Sequence, residues 1–214
     1  PDQIVHIPRV LYHWRIHEES TAKGMSAKPY AAVAGERALN EHYQRLGMKA
    51  QPEYIGYGYR TRFALPEPRP LVSIIIPTRN ALGLVRQCIE SIQSRTDYPN
   101  WEIILVDNGS DDPAALAYFQ EVAGQSRIRV VRDEGPFNYS ALNNRAVALA
   151  RGEFVGLVNN DIEVMTPEWL TEMVSLAVQP GVGAVGARLW YPDMTLQHGG
   201  VIVGLGGVAG HSHK

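Results

Sequence analysis

The sequence predicts an α/β protein built on a mostly parallel sheet with helices on both faces. From residue 70 onward, short apolar segments typical of buried parallel strands alternate with segments of helical periodicity. The first two strands lie about 30 residues apart, the length of one strand-helix-strand unit. Two strands end in acidic side chains, at Asp107 and Asp161. Such sheets bind ligands at the carboxyl ends of their strands, so the pattern predicts the place of a site as well as a fold.

Composition excludes several classes of protein. The 214 residues carry a net charge of -2, which gives no bulk electrostatic reason to expect a nucleic-acid partner. No apolar run approaches the roughly 18 residues of a membrane-spanning helix, so no transmembrane segment is expected. The single cysteine, Cys88, excludes an intrachain disulfide and fits a reducing compartment. We therefore expect a cytoplasmic protein, with the inner face of the membrane as an alternative location.

The first part of the chain, residues 1–69, lacks the regular alternation of strand and helix patterns found in the rest. Residues 4–17 resemble a strand with aromatic and basic side chains, and residues 29–46 have helical spacing that Gly47 would end. Residues 52–70 are rich in proline and glycine, which predicts a stiff linker. We expect a small strand-plus-helix segment at 1–69 followed by a domain at 70–214. Because the chain starts without Met and ends in a glycine-rich run, we expect it to be a piece of a longer protein, C-terminally incomplete.

The domain from residue 70 onward is predicted to hold five strands and four helices. The strands are expected at 71–76, 101–106, 128–131, 154–158 and 182–189. The helices are expected around 85–92, from Pro113 onward, over 140–150 with Gly152 in the C-cap region, and from an N-cap at Thr166 to Val178.

Asp107 begins the segment Asp-Asn-Gly-Ser-Asp that ends at Asp111. These residue types are also the ones that turns prefer, so a plain turn is one interpretation. The other is that the Asp107 carboxylate accepts hydrogen bonds from a nucleobase or ribose, which its place at a strand end favours.

Asp161 follows Asn159 and Asn160 at the end of the fourth strand. A turn or a helix N-cap would account for it. Alternatively, its carboxylate is an oxygen ligand for Mg²⁺ or Mn²⁺ that bridges a diphosphate, since these cations keep several waters and need only one or two protein carboxylates. Asn159 and Asn160 would add neutral oxygens, and Glu163 is a weaker candidate.

Two further patterns near the end of the chain are weak. Residues 204–209 match the loose form of a dinucleotide-binding fingerprint, but five residues follow them where a complete helix is needed. His198, His211 and His213 fit no standard zinc spacing, and no cysteine lies near them. We interpret both patterns as parts of a glycine-rich loop.

Three ordered segments together resemble family 2 glycosyltransferases. They are Val-Ser-Ile-Ile-Ile-Pro-Thr-Arg-Asn at 72–80, Glu-Ile-Ile-Leu-Val-Asp-Asn-Gly-Ser-Asp-Asp at 102–112, and Ala-Arg-Gly-Glu-Phe-Val-Gly-Leu-Val-Asn-Asn-Asp-Ile-Glu at 150–163. The resemblance covers about residues 70–214. It implies a GT-A fold with a Rossmann-like nucleotide-binding half. It also implies an inverting, metal-dependent transfer of sugar from a nucleoside-diphosphate sugar to a saccharide or lipid-linked saccharide acceptor, in bacterial surface-polysaccharide synthesis.

The resemblance also implies roles for individual residues. Asp107 would bind the base with Asp111 near it, Asn144 matches the family's asparagine, and Asp161 would be the main metal ligand, with Mg²⁺ or Mn²⁺ as the cofactor. The nucleoside pocket would be lined by Pro77, Thr78 and Asn80, and the Asp-x-Asp position of the family is filled by Asn159, Asn160 and Asp161.

The sequence departs from the family pattern at three points. Asn159 replaces the first aspartate of Asp-x-Asp, which removes one charge from the ribose or metal contacts. Asn143 stands where many members have a basic residue. The general base of the family, a carboxylate that deprotonates the acceptor hydroxyl, is expected beyond Lys214. We therefore expect the chain by itself to bind sugar nucleotide weakly and to transfer little.

Other classes of function remain open at this stage. The runner-up is a non-catalytic sugar-nucleotide-binding or scaffold module of a multidomain protein. A dinucleotide-dependent enzyme is disfavoured, because Pro77-Thr78-Arg79-Asn80 stands where its glycine fingerprint would follow the first strand. Residues 7–21 faintly resemble the closing segment of another family 2 domain, with His17 near the metal or the diphosphate, which would make the parent protein a tandem transferase. The alternative is that His13, Arg15 and His17 simply alternate on the exposed face of an edge strand.

Overall fold

The structure is a computed structural model that describes residues 4–13 and 30–211. The chain divides into two units, Pro1–Ala64 and Leu65–Lys214, which are described separately. The domain boundary expected between residues 69 and 70 stays a prediction.

The described residues of the first unit form one helix and one hairpin. Helix α1 (Tyr30–Arg45) is followed by strands β1 (Ala50–Tyr54) and β2 (Tyr59–Phe63), which pair antiparallel. The hydroxyl of Tyr59 donates to the backbone oxygen of Ala32 at 3.1 Å, which attaches the hairpin to the helix. Gly47 adopts a φ of 66° just after α1, so it ends the helix as expected.

Two expectations for this unit were wrong. Residues 52–70 do not form a linker throughout, because β1 and β2 occupy 50–63 and Pro52 lies inside β1. Pro52 is tolerated there because a two-stranded ribbon leaves one edge of each strand unpaired. The strand expected at 4–17 is absent from its described portion, 4–13, where the residues are exposed and make no strand pairing. Residues 14–17, including His17, lie outside the described part.

The second unit contains the predicted parallel sheet. Its four strands lie in the order β5-β4-β3-β6, and all neighbours are parallel. The strands are β3 (Val72–Thr78), β4 (Trp101–Asp107), β5 (Ile128–Arg132) and β6 (Phe154–Leu157); the helices are α2 (Leu82–Arg95), α3 (Pro113–Ala123), α4 (Tyr139–Val147) and α5 (Trp169–Ala177).

Helices cover both faces of this sheet, as predicted. Alternate strand residues such as Ile74 and Ile103 pack with α2, α3 and α5 in the larger cluster of buried side chains. The intervening residues, Ile75, Ile104 and Val106, pack with Leu142 and Ala146 of α4 on the other face. Because successive side chains of a strand point to opposite faces, a strand buried on both sides is apolar throughout.

The order of the strands locates a crevice. The chain moves from β3 outward to β4 and β5, and then returns across the sheet to β6 on the other side of β3. The connections that leave β3 and enter β6 therefore run in opposite directions. At such a switch point the loops separate beyond the carboxyl ends of the strands, and ligands of open α/β sheets bind there.

Three local expectations for this unit were wrong. Helix α4 ends at Val147, and Gly152 is not its cap but lies where the chain enters β6. Helix α5 begins at Trp169 rather than at an N-cap on Thr166. No strand spans 182–189; only Leu189 and Trp190 form a short strand there, and the glycines at 181, 183 and 186 weaken strand formation before it.

The chain after residue 188 forms two small hairpins. The first consists of β7 (Leu189–Trp190) and β8 (Leu196–His198), and the second of β9 (Val201–Val203) and β10 (Ala209–His211). A short 3-10 turn at Leu205–Gly207 lies between β9 and β10.

A buried carboxylate joins the amino ends of the central strands. Glu102 on β4 is nearly inaccessible, with its side chain 3% exposed. It accepts hydrogen bonds from Ser73 Oγ at 2.7 Å, Arg151 Nε at 2.9 Å and Arg129 Nη2 at 3.2 Å. Burial alone raises the pKa of Glu102, but the hydrogen bonds from Arg151 and Ser73 outweigh it and the pKa is lowered overall.

This lowered pKa predicts a pH dependence of stability. Because the folded pKa lies below the unfolded value of about 4.3, Glu102 contributes stability above that pH and loses it as the pH falls through the folded pKa. Urea unfolding of the wild type is expected to show a steeper loss of unfolding free energy between neutral and acidic pH than Glu102→Gln. The exposed Glu90→Gln is the control, and its unfolding free energy should depend on pH as that of the wild type does. If the wild type and Glu102→Gln lose the same unfolding free energy between neutral and acidic pH, the assignment is contradicted.

Candidate functional site

An open cavity of about 250 Å³ lies beyond the carboxyl ends of β3 and β6, at the switch point of the sheet. The loop after β4 and the amino end of α4 complete its wall. The residues that line it are Pro77, Thr78, Arg79, Asn108, Phe137, Tyr139, Leu142, Asn159, Asn160 and Asp161. Five of the nine site residues predicted from the sequence lie here: Pro77, Thr78, Asn159, Asn160 and Asp161.

A hydrogen bond connects the two strand ends across this cavity. Asn160 Nδ2 donates to Thr78 Oγ1 at 2.9 Å, which fixes the orientation of the Asn160 amide. With its nitrogen engaged, the Asn160 Oδ1 atom remains as an acceptor next to Asp161. Asp161 itself is exposed and makes no hydrogen bond or ion pair within the described part of the chain.

Asp107 is held inside the protein and does not line the cavity. Its Oδ1 accepts the backbone N–H of Ser110 at 2.9 Å, and its Oδ2 accepts Arg132 Nη1 at 2.6 Å. Arg132 also donates to the Ser110 backbone oxygen at 2.8 Å. The hydrogen bonds that Arg132 donates to the carboxylates of Asp107 and Glu134 raise the pKa of Arg132 above its usual value. Asp107 therefore stabilises the conformation of the loop after β4 through these hydrogen bonds.

Asn108 is one of the five lining residues that our sequence analysis did not predict; the others are Arg79, Phe137, Tyr139 and Leu142. Asn108 is 4% exposed, and its Nδ2 donates to the backbone oxygens of Asp133 at 3.1 Å and Gly135 at 2.8 Å. Both amide hydrogens are thus engaged, while its buried Oδ1 has no hydrogen-bond partner. A buried acceptor without a partner is costly unless a ligand or water supplies a donor.

The alternation of side chains along β4 could have predicted that Asn108 faces the cavity. Ile104 and Val106 point toward α4, so the next residue of that row, Asn108, continues on the α4 side where the cavity lies. Asp107 belongs to the opposite row, and the family resemblance had directed attention to its carboxylate.

Asn80 and Asp111 connect two loops beside the cavity. Asn80 has a φ of 53°, a conformation that asparagine tolerates better than most residues. Its Nδ2 donates to Asp111 Oδ1 at 2.8 Å, and its Oδ1 accepts the backbone N–H groups of Asp111 and Asp112 at 3.0 Å. The hydrogen bond from Asn80 is the main cause of a lowered pKa of Asp111. Neither residue is among those that line the cavity.

The remaining candidates lie away from the cavity lining. Asn144 is on the exposed face of α4, whereas its neighbour Asn143 is buried, donates to the Tyr139 backbone oxygen at 2.8 Å, and has an unpartnered Oδ1. Glu163 pairs with Arg95 at 2.7 Å and Gln87 at 2.7 Å. Burial raises the pKa of the Cys88 thiol to about 12, which keeps it protonated and unreactive at neutral pH.

The donor set of the cavity fits a hard divalent cation held partly by a substrate. The described residues contain no group of three or more His, Cys, Asp and Glu side chains that would form a complete protein cage. Asp161 offers a carboxylate, and the oriented Asn160 amide offers a neutral oxygen. Mg²⁺ and Mn²⁺ are commonly bound in this way, by one or two protein oxygens with substrate phosphates and water.

These features define a class of protein: an α/β domain with a polar cavity at the switch point of a parallel sheet. Residues 73–202 match the sequence profile of glycosyl transferase family 2, which is most of the second unit. The chain belongs to that family, and the resemblance noted from the three sequence segments is confirmed.

Two curated proteins are similar to nearly the whole of this chain. The chain is 55% identical over 215 residues to the uncharacterized protein y4gI of Sinorhizobium fredii (strain NBRC 101917 / NGR234), an alignment that covers 99% of this chain and 24% of that protein. It is 41% identical over 211 residues to the O-antigen biosynthesis protein RfbC of Myxococcus xanthus, which covers 97% of this chain and 16% of that protein. The chain thus spans about a quarter or less of the length of these relatives.

A solved structure shows the fold. The mannosyltransferase PcManGT from Pyrobaculum calidifontis, determined in complex with GDP-Man and Mn²⁺, superposes with a TM-score of 0.53 at 23% identity, covering 82% of this chain and 48% of that one. The predicted GT-A fold is therefore confirmed. None of the helices in the described residues has the length and apolar character needed to cross a membrane.

Proposed function

We propose that this chain binds a nucleoside-diphosphate sugar and a divalent cation as the donor-binding part of an inverting glycosyltransferase. The acceptor is a saccharide or lipid-linked saccharide, and the pathway is the synthesis of a bacterial surface polysaccharide. The observation that carries the proposal is the cavity at the switch point, where Thr78 of β3 meets Asn108 and Asp161 from the loops after β4 and β6. The free, buried thiol of Cys88 is consistent with a protein that acts in the reducing cytoplasm.

Asp161 and Asn160 are the proposed metal-binding residues. The cation, Mg²⁺ or Mn²⁺, would neutralise charge on the diphosphate as it leaves. Because one carboxylate is a weak site alone, the diphosphate must supply further oxygens. Cation and nucleotide are therefore expected to bind cooperatively, each weakly without the other.

Asn108 is the proposed base-recognition residue. Since both of its amide hydrogens are donated to backbone oxygens, the only hydrogen-bonding group that the side chain has left is the acceptor Oδ1. This atom is buried in the structure, so the cavity wall must open for it to accept the ring N–H of uracil, thymine or guanine. Adenine and cytosine present a ring acceptor at the corresponding edge. The exposed rings of Phe137 and Tyr139 give the cavity an aromatic side for the base.

Replacing Asn108 tests this role. Asn108→Ala is expected to weaken binding of the preferred nucleoside diphosphate about tenfold, or about 1.4 kcal/mol, because one hydrogen bond to the base is lost. Binding of pyrophosphate with Mn²⁺ should be unchanged, since it lacks a base. Calorimetry with both ligands checks this, and an equal loss for pyrophosphate would contradict base recognition.

The catalytic base is proposed to come from outside this cavity lining. Asp161 is the only carboxylate among the described lining residues, and the metal occupies it in our assignment. The chain by itself should therefore bind donor but transfer little sugar. The alternative function, a non-catalytic sugar-nucleotide-binding module, is favoured by the same observation, and a transfer assay on the whole protein separates the two.

The test of the proposal is a calorimetric titration with UDP, dTDP, GDP, ADP and CDP, each with and without Mn²⁺. We expect saturable binding of one of the first three that requires the metal. Absence of binding to all five nucleotides in the presence of Mn²⁺ would contradict the proposal.

A further inference from the structure

Two histidines in the last described part of the chain lie close enough to share a metal ion. The Nδ1 atoms of His198 and His211 are 3.2 Å apart, and the two rings are nearly perpendicular, at 87°. His198 belongs to β8 and His211 to β10, so they come from different hairpins. The third histidine of the sequence group, His213, lies outside the described residues.

This distance matches the geometry of a metal with two imidazole ligands. Zinc binds imidazole nitrogen at about 2.0–2.1 Å with tetrahedral angles, which places two ligand nitrogens about 3.3 Å apart. Without metal, a neutral pair explains the contact by one Nδ1–H donating to the other Nδ1. On metal binding the donor ring becomes the Nε2–H tautomer, which frees both Nδ1 lone pairs without a net loss of protons.

Strand pairing fixes the backbone position of each histidine. His198 is paired opposite Leu189 in the first hairpin, and His211 is paired opposite Val201 in the second. Both rings remain accessible, since His198 is half-buried and His211 is exposed. A cation can therefore reach the pair from solvent without rearrangement of either hairpin.

We propose that His198 and His211 form a site for a borderline transition-metal cation such as Zn²⁺ or Ni²⁺, which links the β7–β8 hairpin to the β9–β10 hairpin. Imidazole nitrogen suits these ions, whereas Mg²⁺ and Mn²⁺ prefer oxygen. The site is therefore distinct in its chemistry from the oxygen-lined cavity, and it does not depend on the proposed donor binding.

The test is calorimetric titration of the complete chain with Zn²⁺ and with Ni²⁺, with Mn²⁺ without nucleotide as the comparison. One Zn²⁺ equivalent is expected to be lost in His198→Gln and in His211→Gln but kept in His6→Gln, which alters an exposed histidine elsewhere. Mn²⁺ should not occupy the site. Unchanged zinc stoichiometry in both variants would overturn the proposal.

A second measurement needs no variant. Imidazole nitrogen NMR spectra of the unmodified chain should show that Zn²⁺ shifts the Nδ1 resonances of His198 and His211 together. Amide exchange in β9 and β10 should slow at the same metal concentration, because the cation ties the second hairpin to the first. If zinc leaves both resonances unchanged, the pair is a hydrogen bond only and the proposal fails.

Discussion

Asp161→Asn is expected to remove the metal dependence of nucleotide binding. The substitution keeps the size of the side chain but replaces the only carboxylate of the described cavity lining with a neutral amide. A hard divalent cation loses its charged protein ligand, and the diphosphate loses the cation that would offset its charge. We expect the dissociation constant in Mn²⁺ to rise at least tenfold, about 1.4 kcal/mol, toward the value without metal.

Glu163→Gln is the matched control for this change. It lies two residues further along the same segment, but its carboxylate pairs with Arg95 and Gln87 and does not line the cavity. Because that pair is partly exposed, its loss should cost little stability. Calorimetry of both variants with and without Mn²⁺ gives the comparison. If Asp161→Asn binds like the wild type, or if Glu163→Gln shows the same loss, the metal is held elsewhere.

Gly152→Ala is expected to destabilise the second unit by about 2–3 kcal/mol, the range of an overpacked site that must shift backbone. A methyl group at this position would lie 2.6 Å from the Ser73 backbone nitrogen, 2.7 Å from the Leu71 oxygen and 2.8 Å from the Phe154 oxygen. All three contacts are backbone atoms, so no side-chain rotation relieves them. Gly152 also donates its N–H to Ser73 Oγ at 2.9 Å, beside the Glu102 cluster.

Gly83→Ala is the control for this prediction. Gly83 lies in α2, and a methyl group there would meet no atom within 4 Å. Since alanine favours helix more than glycine does, this variant should match or exceed the wild-type stability by up to about 1 kcal/mol. Urea unfolding of both variants decides the matter. Equal stability of Gly152→Ala and wild type would mean that β6 does not approach β3 as closely as described.

Much of the sheet was predictable because its signals are local. Strands β3 and β4 are apolar on both faces and have clear ends, and helix α2 between them has regular periodicity. The β1–β2 hairpin was missed because Pro52, Gly56 and Gly58 indicate a loop when read one by one. Its stability depends on contacts with α1, such as that of Tyr59, which local composition does not reveal.

The site was predictable in position but not in every residue. The positions of Thr78 at the end of β3 and of Asp161 in the loop after β6 follow from the fold, because the carboxyl ends of parallel strands lie at one edge. The burial of Asp107 depends on Arg132, which lies 25 residues further along and is brought close only by the pairing of β5 with β4. The local sequence does not reveal that partner, and the base-binding role expected for Asp107 stays a prediction.

The most direct test of the account is the position of Mn²⁺ in the nucleotide complex. Backbone NMR of the labelled chain should show paramagnetic broadening of the amides of Thr78 and Asn159–Asp161, and only when nucleotide is present. That result would place the cation and the diphosphate together at the carboxyl ends of β3 and β6. Nucleotide-dependent broadening centred elsewhere, or bound nucleotide with no broadening at these residues, would contradict a donor site in this cavity.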